Sequence, residues 1–216
     1  MLSVLDETLK KLEQNGMKPF VVDSKEEILP LLKTLIPPGA SIGVGGSESL
    51  KEIDAIEWIR QNDYAFFDRY APELTRAEAL EVMRQALLAD VFLTSTNAIT
   101  EKGELYNVDG TGNRIAAFCY GPKSVIVVAG VNKIVPDIDA AVRRVKEIAA
   151  PKNVARLSKK TPCFKTGVCI SLSKEDSDMC DGCLSADRIC STYIVSGKQM
   201  VKDRIKVIIC KESLGY

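Results

Sequence analysis

The apolar positions of this chain fall into two kinds of segment, short continuous runs and longer stretches with helical spacing. The short runs predict strands at residues 19–22, 40–45, 64–67, 91–95 and 123–129. The stretches with helical spacing predict helices at 3–15, 24–36, 76–89 and 137–149. Strands that alternate with helices of about a dozen residues are typical of an α/β protein. We therefore expect a Rossmann-like parallel sheet with helices on both faces.

Two stretches depart from this alternation. Residues 98–108 predict a tight β-hairpin inserted into the α/β unit. Near the end of the chain, 192–195 and 204–210 are two β-like segments, which we expect to form a terminal hairpin. The sequence thus predicts a core domain over 1–157, with a cysteine-rich loop and a terminal β-hairpin over 158–216 packed on the same domain.

Composition excludes several classes of function. Lys+Arg and Asp+Glu are equal at 29 each, so no net charge favours nucleic acid or an anionic membrane surface. No apolar run approaches the roughly 18 residues that cross a bilayer, and the first residues lack the pattern of a secretory signal, so a cytoplasmic protein is expected. The chain has no histidine, which excludes Ser-His and Cys-His nucleophile pairs and any zinc site that contains histidine.

A first glycine-rich loop follows the predicted strand at 40–45. Gly45, Gly46 and Ser47 lie where this strand ends and a helix begins. Backbone N–H groups at a helix start lack intrahelical partners, and glycines let a ligand approach them closely, so the loop predicts a pocket for phosphate or carboxylate. The alternative is a tight turn that only packs the helix against the sheet.

A second polar loop, 107–114, lies between the predicted hairpin and an apolar helix. Loops at the carboxyl ends of parallel strands converge on one crevice, and two glycine-rich loops in one crevice favour an anionic ligand. The candidate ligand-binding residues are Gly45, Gly46, Ser47, Thr96, Asn97, Glu101, Asn107, Asp109, Gly110, Gly112, Asn113 and Arg114. Turn and cap formation is the alternative for Asn107 and Asp109, a surface ion pair for Arg114, and simple solvation for Glu101.

Several blocks in this order resemble the lactate-utilisation (LUD) domain family. They are Gly45-Gly46-Ser47, residues 89–100, residues 103–114 and Gly130–Val135. The resemblance implies a fold like that of ribose-phosphate isomerases, CoA transferases and translation initiation factor 2B. Some members are encoded with subunits that oxidise L-lactate to pyruvate, and one such subunit carries a ferredoxin-type C-x₂-C-x₂-C-x₃-C run. This chain lacks that run and does not resemble that subunit.

The resemblance implies binding of a small anionic metabolite in lactate or related organic-acid metabolism. The partners it suggests are redox subunits and a second copy of the chain, with no nucleic acid and no membrane. A weaker alternative, on fold analogy alone, is a sugar-phosphate isomerase or a CoA-transferase-like enzyme. The catalytic residues, and whether the chain is an enzyme, stay open at this point.

Five of the seven cysteines form a cluster near the C-terminus: Cys163, Cys169, Cys180, Cys183 and Cys190. Without histidine, a site built from them would be all-thiolate, which suits Zn²⁺ or an iron–sulfur cluster. One four-ligand set is Cys163, Cys180, Cys183 and Cys190, and in the other Cys169 replaces Cys180. Thiol–disulfide redox pairing and inert thiols are the alternatives. The cluster supports a second hypothesis, a protein that transfers electrons or senses metal.

Overall fold

The computed structural model describes residues 3–216, which form two β-sheets and the helices around them. The strands are β1 (Lys18–Val22), β2 (Ser41–Val44), β3 (Ala65–Phe66), β4 (Val91–Thr94), β5 (Ala98–Thr100), β6 (Leu105–Asp109), β7 (Ser124–Gly130), β8 (Ile134–Val135), β9 (Thr192–Ser196) and β10 (Ile205–Cys210). The α-helices are α1 (Val4–Gln14), α2 (Ile28–Leu35), α3 (Glu48–Glu52), α4 (Ala55–Arg60), α5 (Arg76–Gln85), α6 (Asn113–Cys119), α7 (Ile138–Arg144), α8 (Ala150–Arg156) and α9 (Pro162–Thr166). Within this described range, no helix is both long and apolar enough to cross a bilayer.

The larger sheet has six strands in the order β1-β10-β7-β4-β2-β3, and all of its strand pairs are parallel. Its central strand β7 is buried on both faces. Ile126 and Val128 pack into the core on one face, while Val125 and Val127 pack into the core on the other. The predicted α/β fold, a parallel sheet covered by helices on both sides, is therefore confirmed.

The hairpin predicted at 98–108 is also confirmed, because β5 and β6 pair antiparallel. With β8 and β9 they form a second sheet in the order β8-β5-β6-β9. The hairpin turns at Gly103, whose φ is +74°, and a Cβ there would lie 2.5 Å from the backbone of Lys11. Only glycine fits this turn, because the turn lies directly against α1.

The terminal hairpin expected from 192–195 and 204–210 is wrong. The first segment, β9, pairs with β6 in the small sheet, and the second, β10, lies between β1 and β7 in the large sheet. Side chains on both faces of β10 are fully buried, Ile208 on one face and Val207 on the other. A strand that is apolar on both faces needs cover on both faces, which the centre of a parallel sheet supplies and a surface hairpin does not.

The helix predicted to end at residue 149 continues to Arg156. A π-helical turn at Val145–Ala149 joins α7 to α8, so Pro151 lies in the first turn of α8. Proline is tolerated in a first helical turn, where its missing N–H is not needed. The π turn therefore lets the chain pass through Pro151 without breaking the helix.

Candidate functional site

A cleft of about 520 Å³ lies at the carboxyl ends of three neighbouring strands of the large sheet. Gly46 and Ser47 follow β2, Ser95 to Asn97 follow β4, and Lys133 follows β7, and all of these residues line the cleft. Ligand sites of open parallel sheets form at this edge. The volume is in the range that accommodates a small molecule.

The structure brings most of the predicted ligand-binding residues to this one cleft. Those that line it are Gly46, Ser47, Thr96, Asn97, Asp109, Gly110, Asn113 and Arg114. Four predicted residues do not line it: Gly45, Glu101, Asn107 and Gly112. Glu101 lies beside the hairpin turn, where its backbone N–H donates to Val135 O over 2.8 Å. Ligand binding by any of these residues stays a prediction.

Arg114 is buried, and its guanidinium joins the loops that line the cleft. Its five N–H groups donate to oxygen atoms of Ser95, Asn97, Asn107, Val108 and Asp109. Four of these contacts are 2.7–3.2 Å long. A guanidinium has five N–H donors, so this network leaves none for a ligand. Arg114 therefore organises the walls of the cleft.

Three of the other predicted polar residues also form the loops themselves. Asp109 Oδ1 accepts from the backbone N–H of Thr111 and Gly112, and Asn97 Oδ1 accepts from the N–H of Val108. Asn107 is fully buried, and its Nδ2 has no partner among residues 3–216. These side chains fix the backbone of the cleft.

The two glycine-rich loops do precede helices, as predicted, but those helices are short. α3 has five residues and α6 has seven. Ser47 caps α3, with its Oγ accepting from Leu50 N over 3.2 Å. Gly45 has a packing role, because a Cβ there would lie 2.9 Å from Arg114 Cγ. The case for an anion therefore depends on side-chain charge in the cleft more than on helix termini.

Lys133 is the cleft residue that sequence reasoning missed. Its side chain is buried, with the residue 2% exposed, and its Nζ lies 2.8 Å from Ser49 Oγ and 2.9 Å from Ser95 Oγ. Within residues 3–216 no carboxylate forms an ion pair with it, and one N–H of the ammonium has no protein partner. The available sequence signal was a single lysine three residues beyond the apolar strand β7.

The surroundings of Lys133 disfavour its charged form. The pKa of Lys133 is lowered to about 7. Burial is the largest cause, and the positive charges of Arg144 and Arg114 act in the same direction. The more distant Glu52 opposes them weakly. A bound anion would reverse this balance by supplying the missing negative charge.

The cleft as a whole is basic. Its basic side chains are those of Arg69, Arg76, Arg114, Lys133, Arg156 and Lys159, against two acidic ones, Glu48 and Asp109. Both acids are engaged already, Glu48 with Arg156 at 3.5 Å and Asp109 with Arg114 at 3.2 Å. A cleft with an excess of one charge attracts ligands of the opposite charge.

Four of the five clustered cysteines line a second, smaller cavity: Cys163, Cys169, Cys183 and Cys190. The fifth, Cys180, is exposed and does not line it. All five are free thiols, and burial raises the pKa of Cys190 to about 12, with Cys169 and Cys163 adding to the shift. Among residues 3–216, no three cysteine or carboxylate side chains are grouped closely enough to hold a single metal ion.

Arg188 organises the loop that carries the last three of these cysteines. It donates to the backbone oxygens of Cys180, Cys183 and Cys190 over 2.6–3.1 Å. Gly182 leaves space for it, because a Cβ there would lie 2.8 Å from Arg188 Cζ. The path of the cysteine loop therefore depends on one guanidinium.

The cysteine cavity and the basic cleft are neighbours. Val145, Ala150, Ile189 and Cys190 line both. The chain also links them directly, since Ser191 N donates to Asp109 O over 3.1 Å, where β9 begins to pair with β6. Cys190 therefore lies one residue along the chain from a hydrogen bond to the cleft loop.

Comparisons with known proteins identify the family and the fold. A family model described as the LUD domain matches residues 5–210. A crystal structure of a DUF162 family protein from Deinococcus radiodurans is similar, with a TM-score of 0.50 and 18% identity, over 97% of this chain and 99% of that chain. The eIF2B delta structure from Chaetomium thermophilum covers 61% of this chain and 52% of its own, at 18% identity and a TM-score of 0.34. No curated protein matches the chain.

Proposed function

This chain belongs to the LUD-domain family, and from that premise we propose that its cleft binds a small organic anion in lactate or related organic-acid metabolism. The observation that carries the proposal is Lys133, a buried ammonium with no ion-pair partner in the described range. A carboxylate in the cleft would accept its free N–H and supply its counter-charge. Buried charges are stable in proteins when they are paired in this way.

The surrounding groups support a small hydroxy or oxo acid. Ser95 lines the cleft beside Lys133, and its hydroxyl can donate to a ligand oxygen or accept from a ligand hydroxyl. Arg69 and Arg76 also line the cleft, and neither has an ion-pair partner within residues 3–216. Longer anions, such as sugar phosphates, would extend toward these two arginines.

We further infer that the chain acts as one subunit of a redox complex. Oxidation of a 2-hydroxy acid to a 2-oxo acid removes two electrons and two protons, so it needs an electron acceptor. The acceptor would belong to partner subunits, while this chain binds the acid. Family membership and the basic cleft support this assignment.

Calorimetry with lactate, pyruvate, a sugar phosphate and CoA tests the proposal at pH 6.5, where Lys133 carries most of its charge. We expect at least one of these anions to bind, and we expect Lys133→Met to bind it at least tenfold more weakly. The matched control is Lys159→Met, which removes a cleft lysine that is half-exposed and paired with Asp187 at 3.7 Å. The absence of heat with all four anions would overturn the proposal, as would equal binding by Lys133→Met.

A further inference from the structure

We propose that Cys163, Cys169, Cys183 and Cys190 bind an iron–sulfur cluster in the cavity that they line. The first support is the selection that the fold makes among five cysteines. Cys180 and Cys183 are three positions apart in one loop, yet Cys183 is buried on the cavity and Cys180 is exposed. The fold therefore presents four thiols to one cavity, the number that a cluster takes from cysteine alone.

The arrangement of these four cysteines favours a cluster over a single zinc ion. Structural zinc sites use pairs of ligands separated by two to four residues. The four cavity cysteines are spaced C-x₅-C-x₁₃-C-x₆-C and contain no such pair, because the Cys180 member of the C-x₂-C pair lies outside the cavity. In a [4Fe–4S] cluster each thiolate binds its own iron atom, so the four sulfurs lie farther apart than around one zinc ion. This agrees with the thiols of residues 3–216, of which no three are close enough to hold a single ion.

Two cations complete the environment that thiolates need. Lys146 and Arg188 line the same cavity, and neither forms an ion pair in the described part of the chain. The carboxylate of Asp181 also lines it and is paired with Lys174 at 3.6 Å. Lys146 is buried, and its Nζ donates to Ser177 Oγ at 2.8 Å and to Asp178 O at 2.6 Å, which leaves one N–H free. A cluster with four thiolate ligands is anionic, and these two charges would offset it.

Cluster binding requires the thiols to draw together, and their present contacts allow it. Cys163 Sγ lies 3.2 Å from Thr161 Oγ1, and Cys169 Sγ lies 3.3 Å from Ser171 Oγ. Thiols form only weak hydrogen bonds, so little is lost when these side chains turn inward. Between Cys169 and β9 the only regular element is a four-residue 3-10 segment, Ile170–Ser173. The loop can therefore close around a cluster without breaking a strand or an α-helix.

The position of the site suggests what the cluster would serve. Cys190 lines both the cavity and the basic cleft, so a cluster on Cys190 would lie against the ligand proposed for the cleft. Hydrogen bonds and charges near a cluster change its electronic properties. The cluster proposal itself depends on the cysteines alone and stands whether or not the cleft binds an organic acid.

The test is the metal content of the full chain made and purified without oxygen. Iron, acid-labile sulfide and zinc are measured, together with the visible absorbance before and after exposure to air. We expect iron and sulfide in the wild type, with a visible band that air bleaches. We expect Cys183→Ser and Cys169→Ser to retain at least tenfold less iron, and Cys180→Ser to retain a wild-type amount.

The paired variants keep the test falsifiable even if one of them folds poorly. Circular dichroism shows whether Cys180→Ser and Cys183→Ser are folded, and reconstitution with ferrous iron and sulfide shows whether a lost cluster can return. Loss of iron in Cys180→Ser equal to that in Cys183→Ser would overturn the ligand set. A wild type that contains zinc, or that takes up no iron on reconstitution, would overturn the cluster. Calorimetry of the cleft is independent of all these outcomes.

Discussion

Two arginines organise the two halves of the candidate site, and they do so in different surroundings. Arg114 is buried, and it donates to the loop that directly follows β4 and to residues of β6. Arg188 is partly buried, and it donates to carbonyl oxygens of a loop that has almost no regular secondary structure. The partners of Arg114 are positioned by strands of the sheets. The partners of Arg188 lie in a loop without such support, so Arg188 itself largely determines the path of that loop.

This difference separates a preformed site from an adaptable one. Side chains around the cleft are fixed by strands and by buried hydrogen bonds, so we expect the cleft to keep its shape without a ligand. Between Cys169 and β9 the chain has one short 3-10 segment and no strand pairing, which is a condition for local opening. The predictions below test this contrast, from the largest expected effect to the smallest.

Replacing Arg114 should have the largest effect on stability. Arg114→Met removes the guanidinium from the Asp109 carboxylate and from four further oxygens, so we expect the free energy of unfolding to fall by about 3–5 kcal/mol. Urea denaturation measures this fall. Arg156→Met is the control, because it removes a more exposed pair with Glu48 and should cost less than about 1 kcal/mol. Equal stability of the two variants would contradict the organising role of Arg114.

Replacing Lys133 should change how stability depends on pH. Burial lowers the pKa of Lys133 to about 7 from its ordinary value of 10.5, so between these values the unfolded chain binds more protons than the folded one. Stability therefore gains about 1.4 kcal/mol per pH unit from this group as pH rises above 7, up to about pH 10. Lys133→Met should lack this gain.

Urea denaturation of both proteins at pH 6.5, 7.5 and 8.5 measures this difference. The free energy of unfolding of the wild type should rise relative to that of Lys133→Met as pH rises, since every other titrating group is common to the two proteins. Parallel profiles would mean that Lys133 keeps an ordinary pKa in the folded protein.

Replacing Arg188 should act locally. Arg188→Met removes the donors to three cysteine carbonyls, so we expect protease cleavage within residues 170–190 to become at least tenfold faster. The free energy of unfolding should fall by only about 1–2 kcal/mol, because the partners remain close to water. Arg143→Met, on the exposed face of α7, is the control. A cleavage pattern that matches this control would contradict the role of Arg188.

The smallest effect is expected from a methyl group placed beside the same guanidinium. Gly182→Ala puts a Cβ 2.8 Å from Arg188 Cζ, and the flexible arginine should shift at a cost of about 1 kcal/mol. Gly197→Ala is the matched control, since nothing lies within 4 Å of its Cβ position. Thermal unfolding of the two variants compares them, and an equal transition temperature would show that Gly182 is not needed for this contact.

Much of the fold could be predicted because burial on two faces leaves a simple pattern. The continuous apolar run of β7 predicted a strand, and the polar turn at Gly103 predicted a hairpin. The place of β10 was mistaken because proximity in sequence suggested a hairpin with β9. Which strands pair is decided by the cover available on each face, and that depends on the whole molecule.

The site was predicted less well than the fold, for a physical reason. Arg114 and Asp109 were nominated as ligand contacts because polar loop residues suggest binding, but they bond to each other and to the backbone. Lys133 was missed because its meaning depends on burial and on Ser49 and Ser95, which come from other elements. The cysteines were found by number and spacing, but only the fold separates Cys180 from the rest.

The most direct test of the account is to count the protons taken up when an organic anion binds the cleft at pH 7.5. Calorimetry in buffers of different ionisation enthalpy gives this number. Because a bound anion raises the pKa of Lys133 from about 7, the wild type should take up a large fraction of one proton, and Lys133→Met should take up none. Binding without proton uptake in the wild type would contradict the claim that Lys133 is the charge that the ligand meets.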